Sequence, residues 1–525
     1  MRTLLRHGFP IAGFALAVYA FYPGHLSWDS AFLYWQARTG HYANVAPAAL
    51  PAAWSVIQSA WSGSGGLFAL QLALFTAGVW SVACAFHAGT AQRIAASAYV
   101  CLGTPALLVM SHLWTDAAMI ACLAAACGLV AHADLRRSRA WLVAAIPLLV
   151  CGGLVRHNAV TALVPLAAWW IVVDRRLRRP DAPLRAGTVA LAAAVVAGAI
   201  FAAGRLIDRM LVEKPVSTFA AVQVFDLAAI SVATDEMLLP AFLLPDGFTL
   251  AVLRERHVGY NNVPLFLPPA GVKEVLWEWS LTAREREALG AAWRDALLAH
   301  PKAYLAHRLA VAGWLFGRYR NDRPRELAFV PRIEPFRDNP PLEANDTSLH
   351  RVAVHWYGRA VGWWGYAPVT HLAIAAAVLA VAWRRRSEPA GRFAVAVAAS
   401  GLAYVAPLPL VAPSAELRYS GWLFVAASLA LTAILVGRVA AQAALRERVA
   451  RLASAIAVRR PPGAIPRSPP PPPVPRLAAE PRAPERVDRD PGPPPGERHG
   501  GEARATRACE GQHAWSDAAA VPRRS

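Results

Sequence analysis

Charged residues are scarce in this 525-residue chain: they make up 17% of it, against about 25% in an average soluble protein. Hydrophobic residues make up 56%, and the mean hydropathy is +0.33. This composition excludes a soluble multidomain protein and a collagen-like protein, and it excludes disorder everywhere except the polar C-terminus. It predicts an integral membrane protein.

Cysteine is also scarce, and its distribution excludes two kinds of site. No segment between apolar runs contains a cysteine before the C-terminal tail. A disulfide framework and a cysteine-rich metal site are therefore disfavoured. The six cysteines are Cys84, Cys101, Cys122, Cys127 and Cys151, which lie in apolar runs, and Cys509 in the tail.

Ten apolar runs predict an all-α polytopic membrane protein with ten transmembrane helices. The first run has no small-residue cleavage site, so we interpret it as a signal anchor and first helix. Several runs have only 15 residues and span a bilayer only if flanking polar residues extend the helix. The runs are 8–22, 66–86, 94–111, 117–131, 141–155, 159–173, 186–204, 366–383, 393–412 and 419–437.

The net charge of +19 is typical of a nucleic-acid-binding protein, but its distribution favours a membrane topology instead. Three arginine clusters fall in loops that all face the cytoplasm if the N-terminus is cytoplasmic. The even number of spans returns the C-terminus to the same side. The clusters are Arg136, Arg137 and Arg139; Arg175, Arg176, Arg178, Arg179 and Arg185; and Arg384, Arg385, Arg386 and Arg392.

This topology predicts four parts: an N-terminal membrane domain with helices 1–7 at 1–204, an external segment at 205–365, three membrane helices at 366–437, and a cytoplasmic tail at 438–525. The first part includes an external loop at 23–65, and the second includes an amphipathic helix at 283–316 that Pro301 should break or kink. The tail has 16 prolines in the 65 residues from 461 onward, so we expect disorder there.

Two carboxylates lie beside predicted spans on the external face, where such residues are rare and usually functional. Asp29 follows the first run, and Asp116 directly precedes the fourth, in SHLWTDAAM. Each also has a structural interpretation. Asp116 could be the N-cap of the helix that follows it, and Asp29 could cap the short helix SAFLYWQA.

Two arginines are expected on the same face. Arg156 precedes the sixth run, and Arg418 opens the last. A guanidinium presents paired donors to phosphate oxygens, so both are candidates for binding an anionic lipid phosphate. The structural alternatives are an interfacial anchor for Arg156 and pairing with Glu416 for Arg418. Seven tryptophans cluster on this face; most are expected in an aromatic belt at the membrane surface, and a few could stack against a sugar ring. They are Trp28, Trp35, Trp54, Trp61, Trp114, Trp363 and Trp364.

Several short motifs form a pattern along the chain. They are Pro23-Gly24, Asp29-Ser30, Gln36-Ala37, Thr39-Gly40, Tyr42, Pro47 and Trp54 in the first external loop, then LWTD at 113–116, RHNA at 156–159, HPKAYLAHR at 300–308 and ELRY at 416–419. This pattern resembles that of bacterial GT-C membrane glycosyltransferases, the superfamily of the dolichyl-phosphate-mannose protein mannosyltransferases and the aminoarabinose transferase of lipid A. The family pattern has a histidine and a second proline where this chain has Ala46 and Ala48, so a metal or acceptor held by that histidine is held differently here, or activity is lost.

The resemblance implies an enzyme of the bacterial inner membrane that transfers a sugar from a polyprenyl-phosphate-linked donor to an acceptor hydroxyl at the outer face. It implies that Asp29 is the general base and that Asp116 orients the acceptor or a cation. The acceptor is a lipid, glycan or protein, no nucleic acid is bound, and the sequence leaves a divalent cation open. The substrate-binding residues it implies are Arg418, Tyr419, Arg156, Asn158, Gln36 and Tyr42.

Three other functions stay open at this point. A ligase or polymerase of lipid-linked glycans has similar chemical needs. A secondary transporter predicts charges at the bilayer midplane and an internal repeat, and the sequence has almost none of the first and no evident repeat. A noncatalytic membrane scaffold requires nothing of Asp29, so substitution of that residue separates it from the enzyme.

Overall fold

Apolar helices make up most of the fold. The computed structural model describes residues 2–180, 185–213, 215–266 and 281–435, with the backbone alone for 2–7. This part of the chain is all-helical and contains only isolated β-bridges between its helices. The predicted tail at 438–525 lies outside the described residues.

Eleven helices precede residue 240 in the described ranges. They are α1 Arg2–Phe21, α2 Trp28–Thr39, α3 Ala49–Ala60, α4 Gly65–Phe86, α5 Thr90–Leu102, α6 Ala106–Met110, α7 Thr115–Arg136, α8 Arg139–Leu154, α9 Ala159–Arg178, α10 Ala186–Leu211 and α11 Thr218–Thr234.

Three short 3₁₀ helices lie after residue 240 in the described ranges, at Ala241–Leu243, Arg325–Leu327 and Trp364–Tyr366. Nine more α-helices follow residue 240 in the same ranges. They are α12 Leu250–Arg256, α13 Val263–Phe266, α14 Ala283–Ala299, α15 Pro301–Leu315, α16 Ser348–Ala360, α17 Pro368–Trp383, α18 Pro389–Val405, α19 Leu408–Val411 and α20 Leu417–Leu435, whose first turn is a 3₁₀ helix.

Five helices of the described chain are long and apolar enough to cross a membrane: α4, α7, α10, α20 and the combined stretch of α18 and α19. The part of α1 from Gly8 onward, α8, α11 and α17 are apolar but shorter. The apolar windows differ in their surroundings. That of α7 is 83% buried inside the protein and that of α10 only 11%, so α10 presents an apolar surface outward. This exposure is compatible with a membrane protein, in which lipid covers such a surface.

One predicted span is not a continuous helix. The apolar run at 94–111 is divided into α5 and α6 by Gly103, Thr104 and Pro105. Pro105 is the N-cap of α6, because its ring cannot continue α5. Sequence hydropathy could not detect this break, since it counts apolar residues without regard to the backbone.

The segment at 205–365 also differs in detail from the expectation. The helix predicted at 283–316 is divided at His300, with Pro301 at the first position of α15, as the proline predicts. The apolar helix α11 was not predicted. It packs against α14 and α15 and buries Asp226 in its middle.

Small residues allow the central helices to approach closely. α7 packs between α4 and α8, and α9 packs against α10 and α18. A Cβ on Gly78 of α4 would lie 2.5 Å from the backbone nitrogen of Ala125 in α7. Only glycine fits there, a contact typical of helix pairs in membranes, where close backbone packing replaces a hydrophobic driving force.

Candidate functional site

The loop before α2 sets the position of Asp29. Backbone hydrogen bonds join His25 to Ser111 at 2.9 Å and to Leu113 at 3.1 Å. Ser27 is the N-cap of α2, so Asp29 does not cap this helix but stands in its first turn. A carboxylate in that position is favoured by the positive end of the helix dipole.

Asp116 lies in the first turn of α7, whose N-cap is Trp114. The alternative in which Asp116 caps this helix is therefore wrong. Its side chain is fully buried and pairs with Arg156, whose Nη1 lies 2.8 Å from Oδ2. Tyr404 of α18 donates a hydrogen bond to Oδ1 at 3.0 Å. A buried charge needs such partners, because water is excluded from it.

Asp29 has a different environment. Nη2 of Arg418 donates to its Oδ2 at 2.5 Å. The side chain of Asp29 is 48% exposed, whereas that of Arg418 is 10% exposed. Nε of Arg418 contacts Glu416, so the expected pairing with Glu416 also occurs. The guanidinium lies 5.0 Å from the ring centroid of Trp114, which is a cation–π contact.

Tyr419 joins the two ion pairs. Its ring centroid lies 5.4 Å from the guanidinium carbon of Arg156 and 5.6 Å from that of Arg418. Arg156 also donates to Thr115 Oγ1 at 2.8 Å and to Asn158 Oδ1 at 3.0 Å. Burial lowers the pKa of Arg156, but Asp116, Tyr404 and Tyr419 together outweigh burial, and the pKa ends above its ordinary value. Arg156 is therefore a fixed cation.

The chain thus brings six sequence-predicted residues to one place from four separate segments: Asp29, Asp116, Arg156, Asn158, Arg418 and Tyr419. Of the two aspartates, only Asp29 has a carboxylate that solvent reaches. Each guanidinium already faces a carboxylate, so an incoming phosphate must exchange with one of these partners. Asp29 can accept a proton, and Asp116 can orient Arg156.

Gln36 and Tyr42 have other contacts. Gln36 is buried, and its Oε1 accepts a hydrogen bond from the backbone of Ala43 at 2.7 Å, which fixes the turn after α2. Tyr42 forms an isolated backbone bridge with Val212, at the end of α10. Within the described ranges, no hydrogen bond or ion pair joins either residue to Asp29 or Arg418. Their substrate-binding roles stay predictions.

Sequence reasoning missed two residues that complete the arrangement. Tyr404 lies in the apolar stretch of α18, where the sequence pattern predicts an aromatic residue of the core. Its hydroxyl nevertheless donates a hydrogen bond to Asp116. Trp114 was expected in an aromatic belt, but it is 4% exposed, packs under Arg418 and donates to Ser27 Oγ at 2.9 Å. One sequence signal could have indicated such partners. An aspartate at the start of an apolar helix is readily buried, and a buried carboxylate requires hydrogen-bond donors nearby.

No group of three or more His, Cys, Asp or Glu side chains in the described residues is placed to hold a metal ion. Asp29 and Asp116 are occupied by separate arginines. A divalent cation here stays an open prediction of the sequence.

No protein-family model, curated protein or solved structure matches this chain.

Proposed function

We propose that this chain is a membrane glycosyltransferase of the GT-C type, which transfers a sugar from a polyprenyl-phosphate-linked donor to an acceptor hydroxyl at the outer face of the bacterial inner membrane. The observation that carries the proposal is the half-exposed Asp29 carboxylate held by Arg418. This pair lies beside the buried pair of Asp116 and Arg156 at one end of an apolar helix bundle. A proton acceptor and fixed cations at a membrane surface are what this transfer needs.

In the proposed reaction the acceptor hydroxyl attacks the anomeric carbon of the donor sugar. The new C–O bond forms as the bond from that carbon to the phosphate oxygen breaks, and the electron pair leaves with the lipid phosphate. Asp29 receives the proton of the hydroxyl. Arg418 exchanges one carboxylate partner for a phosphate oxygen and stabilises the charge that develops there.

Asp116 has a positioning role in this proposal. Its carboxylate is buried from solvent, and it fixes the guanidinium of Arg156 at 2.8 Å. Arg156 in turn lies against the ring of Tyr419, next to Arg418. The positive charge of Arg156 therefore acts on a phosphate bound at Arg418 through space, while Arg156 keeps its own ion pair with Asp116.

The proposed topology has ten spans with both termini in the cytoplasm and the segment at 205–365 outside. The loop lengths and arginine clusters support it. Single cysteines introduced within 23–65 and 205–365 should react with a membrane-impermeant thiol reagent in intact cells. A cysteine at Arg178 should react only after the cells are opened. Protection of the 205–365 positions would contradict this topology.

The activity is tested by transfer from a synthetic polyprenyl-phosphate sugar with purified Asp29→Asn protein. The amide keeps the shape of the side chain but cannot take the proton, so we expect the rate to fall by about 10²-fold or more. Asp116→Asn should cause a smaller loss. Asp338→Asn is the matched control, because Asp338 is also an exposed aspartate paired with an arginine, Arg38. Full activity in a folded Asp29→Asn protein would exclude the base and favour a scaffold or transporter.

A further inference from the structure

A cleft of about 590 Å³ lies between α16 and the segment at 325–332. This volume is in the range of small-molecule sites. Four arginines and two carboxylates line the cleft, which gives it a net charge of +2 when its two histidines are neutral. The charged residues are Arg325, Arg332, Arg351, Arg359, Glu326 and Asp346.

Two of these arginines have carboxylate partners. Arg332 pairs with Glu334 at 2.8 Å, and Arg351 pairs with Asp346 at 3.1 Å. Both pairs are well exposed on the arginine side, so water screens them. Glu334 does not itself line the cleft. The lining charges outside both pairs are Arg325, Arg359 and Glu326, so these two arginines outnumber the remaining carboxylate.

Arg325 and Arg359 have no side-chain hydrogen bond or ion pair to any other residue that the structure describes. Both are exposed and line the same cleft. The guanidinium of Arg325 lies against α16 next to Arg359: a Cβ on Gly358 would be 3.8 Å from its guanidinium carbon, an ordinary contact distance. Two unpaired guanidinium groups facing one cleft are a recognition element for phosphate.

The cleft lies at the end of an apolar helix. His350 Nδ1 of α16 is 3.1 Å from the carbonyl oxygen of Ala20, and Asn345 donates to the carbonyl of Tyr19 at 2.7 Å. Both carbonyls belong to the last turn of α1, which ends at Phe21. Lipid headgroups lie where an apolar membrane helix ends.

The outer face of α16 is apolar next to Arg359. Val352 is 65% exposed, and Trp356, one turn later, is 47% exposed. Trp363 and Trp364, just after the helix, are 48% and 60% exposed. An amphipathic helix with exposed tryptophan and arginine side by side is typical of a helix that lies in a membrane interface.

We infer that this cleft binds the phosphate headgroup of an anionic membrane lipid. Arg325 and Arg359 hold the phosphate oxygens, while Val352 and Trp356 contact the acyl region. The site differs in charge from that of Asp29, where both arginines already face carboxylates. The inference requires that α16 lies beside a membrane, but it does not depend on the proposed sugar transfer. Binding measurements alone therefore test it.

The test is calorimetric titration of the full-length protein in neutral detergent with dihexanoyl phosphatidic acid, glycerol phosphate and inorganic phosphate. The Arg325→Ala/Arg359→Ala variant should bind the lipid at least about tenfold more weakly, since each guanidinium contributes charged hydrogen bonds. The control Arg284→Ala/Arg294→Ala removes the same charge from exposed positions of α14, outside the cleft, and should bind as the wild type does. Trp356→Ala should lose the part of the affinity that the acyl chains add.

The outcomes separate the sources of the phosphate. If the lipid binds more tightly than glycerol phosphate, and the double variant loses this binding, the inference stands. If all three probes bind equally and the double variant loses all of them, the phosphate chemistry stands and the lipid source is overturned. If the double variant binds the lipid as tightly as the wild type, or the control loses as much, there is no phosphate site in this cleft. Unchanged melting temperatures establish that the variants are folded.

Discussion

Two carboxylate–arginine centres of this chain use the same ion pair in opposite surroundings. In one, Asp29 meets Arg418, and nearly half of the aspartate side chain is exposed. In the other, Asp226 of α11 meets Arg308 of α15 at 2.7 Å, and neither side chain is more than 3% exposed. The first centre is open to a ligand and the second is closed to everything except its neighbours.

The closed centre has further partners. Trp293 of α14 donates to Asp226 Oδ2 at 2.8 Å, and His307 Nε2 lies 3.4 Å from Oδ1. Arg308 also donates to the carbonyl of Ala412 at 2.9 Å, just before the loop that carries Arg418. The buried centre therefore joins three helices and, through Arg308, the backbone at Ala412. Exposure, and not the pairing itself, separates a candidate catalytic carboxylate from a structural one.

The largest effect on stability is expected when the ion pair of the closed centre is removed. Asp226→Ala leaves the buried guanidinium of Arg308 without its counter-charge, so we expect the free energy of unfolding to fall by about 3–5 kcal/mol. Thermal or denaturant unfolding of the purified protein in detergent measures this. Asp295→Ala, an exposed aspartate on α14, is the control and should change stability by less than about 0.5 kcal/mol. Equal stability of the Asp226→Ala and Asp295→Ala proteins would show that the closed centre does not hold the fold.

A smaller effect is expected at the open centre. If the proposed function holds, Arg418→Ala removes charged hydrogen bonds to the donor phosphate, so donor binding should weaken by about 10- to 100-fold. Titration with a synthetic polyprenyl-phosphate sugar measures this. Arg38→Ala is the control and should bind the donor normally. It breaks the ion pair of Arg38 with the exposed Asp338, and Arg38 lies on α2, the helix that also carries Asp29. A loss in kcat with unchanged donor binding would move Arg418 from phosphate binding to the chemical step.

The closed centre should also respond to acid. Burial, and then the charge of Arg308, lower the pKa of His307 to about 3 from its ordinary value of 6.5. The unfolded chain binds a proton at this histidine below about pH 6.5 and the folded chain does not, so stability falls as the pH drops from 6.5 toward 3. The groups that face His307 are Asp226, Arg308 and His257.

His307→Gln should lower the slope of stability against pH over this range by the contribution of one histidine, while other buried histidines such as His112, whose pKa burial lowers to about 3, keep the rest of it. His355→Gln, at an exposed position, should leave the slope unchanged. Unfolding curves collected at each pH measure both. The same slope in wild type and His307→Gln would assign the acid sensitivity to another group.

The sequence predicted the open centre because its charges stand out against apolar runs. Arg156 and Arg418 each adjoin such a run, and Asp29 follows one in the first external loop; charged residues in these places are rare and usually functional. Tyr404 was missed because a tyrosine within an apolar helix does not differ from its apolar neighbours as a charged residue does. Asp226 was missed for a related reason: the segment at 205–365 was interpreted as external, so a carboxylate in it called for no explanation.

Backbone geometry limited the prediction of the fold in the same way. The apolar run at 94–111 satisfies a hydropathy criterion, yet Pro105 divides it. Pro301 was recognised as a break because it stands in a visibly helical pattern. Contacts between distant segments, such as Leu26 with Arg332 at 3.1 Å, have no local signal in a single sequence.

The smallest expected effect concerns the C-terminal residues, and it asks whether the two centres are sufficient by themselves. Both centres are built entirely from residues before 420. The 65 residues from 461 onward contain 16 prolines and no long apolar run, a composition that cannot bury a core. Truncation after Arg460 should therefore leave the unfolding temperature and any transfer activity unchanged. A matched truncation within α20, after Ser428, should abolish folding, because it removes buried residues such as Leu429 and Ala430. If the protein truncated after Arg460 unfolds as readily as the one truncated after Ser428, the C-terminal residues contribute to the membrane domain and the two centres do not suffice.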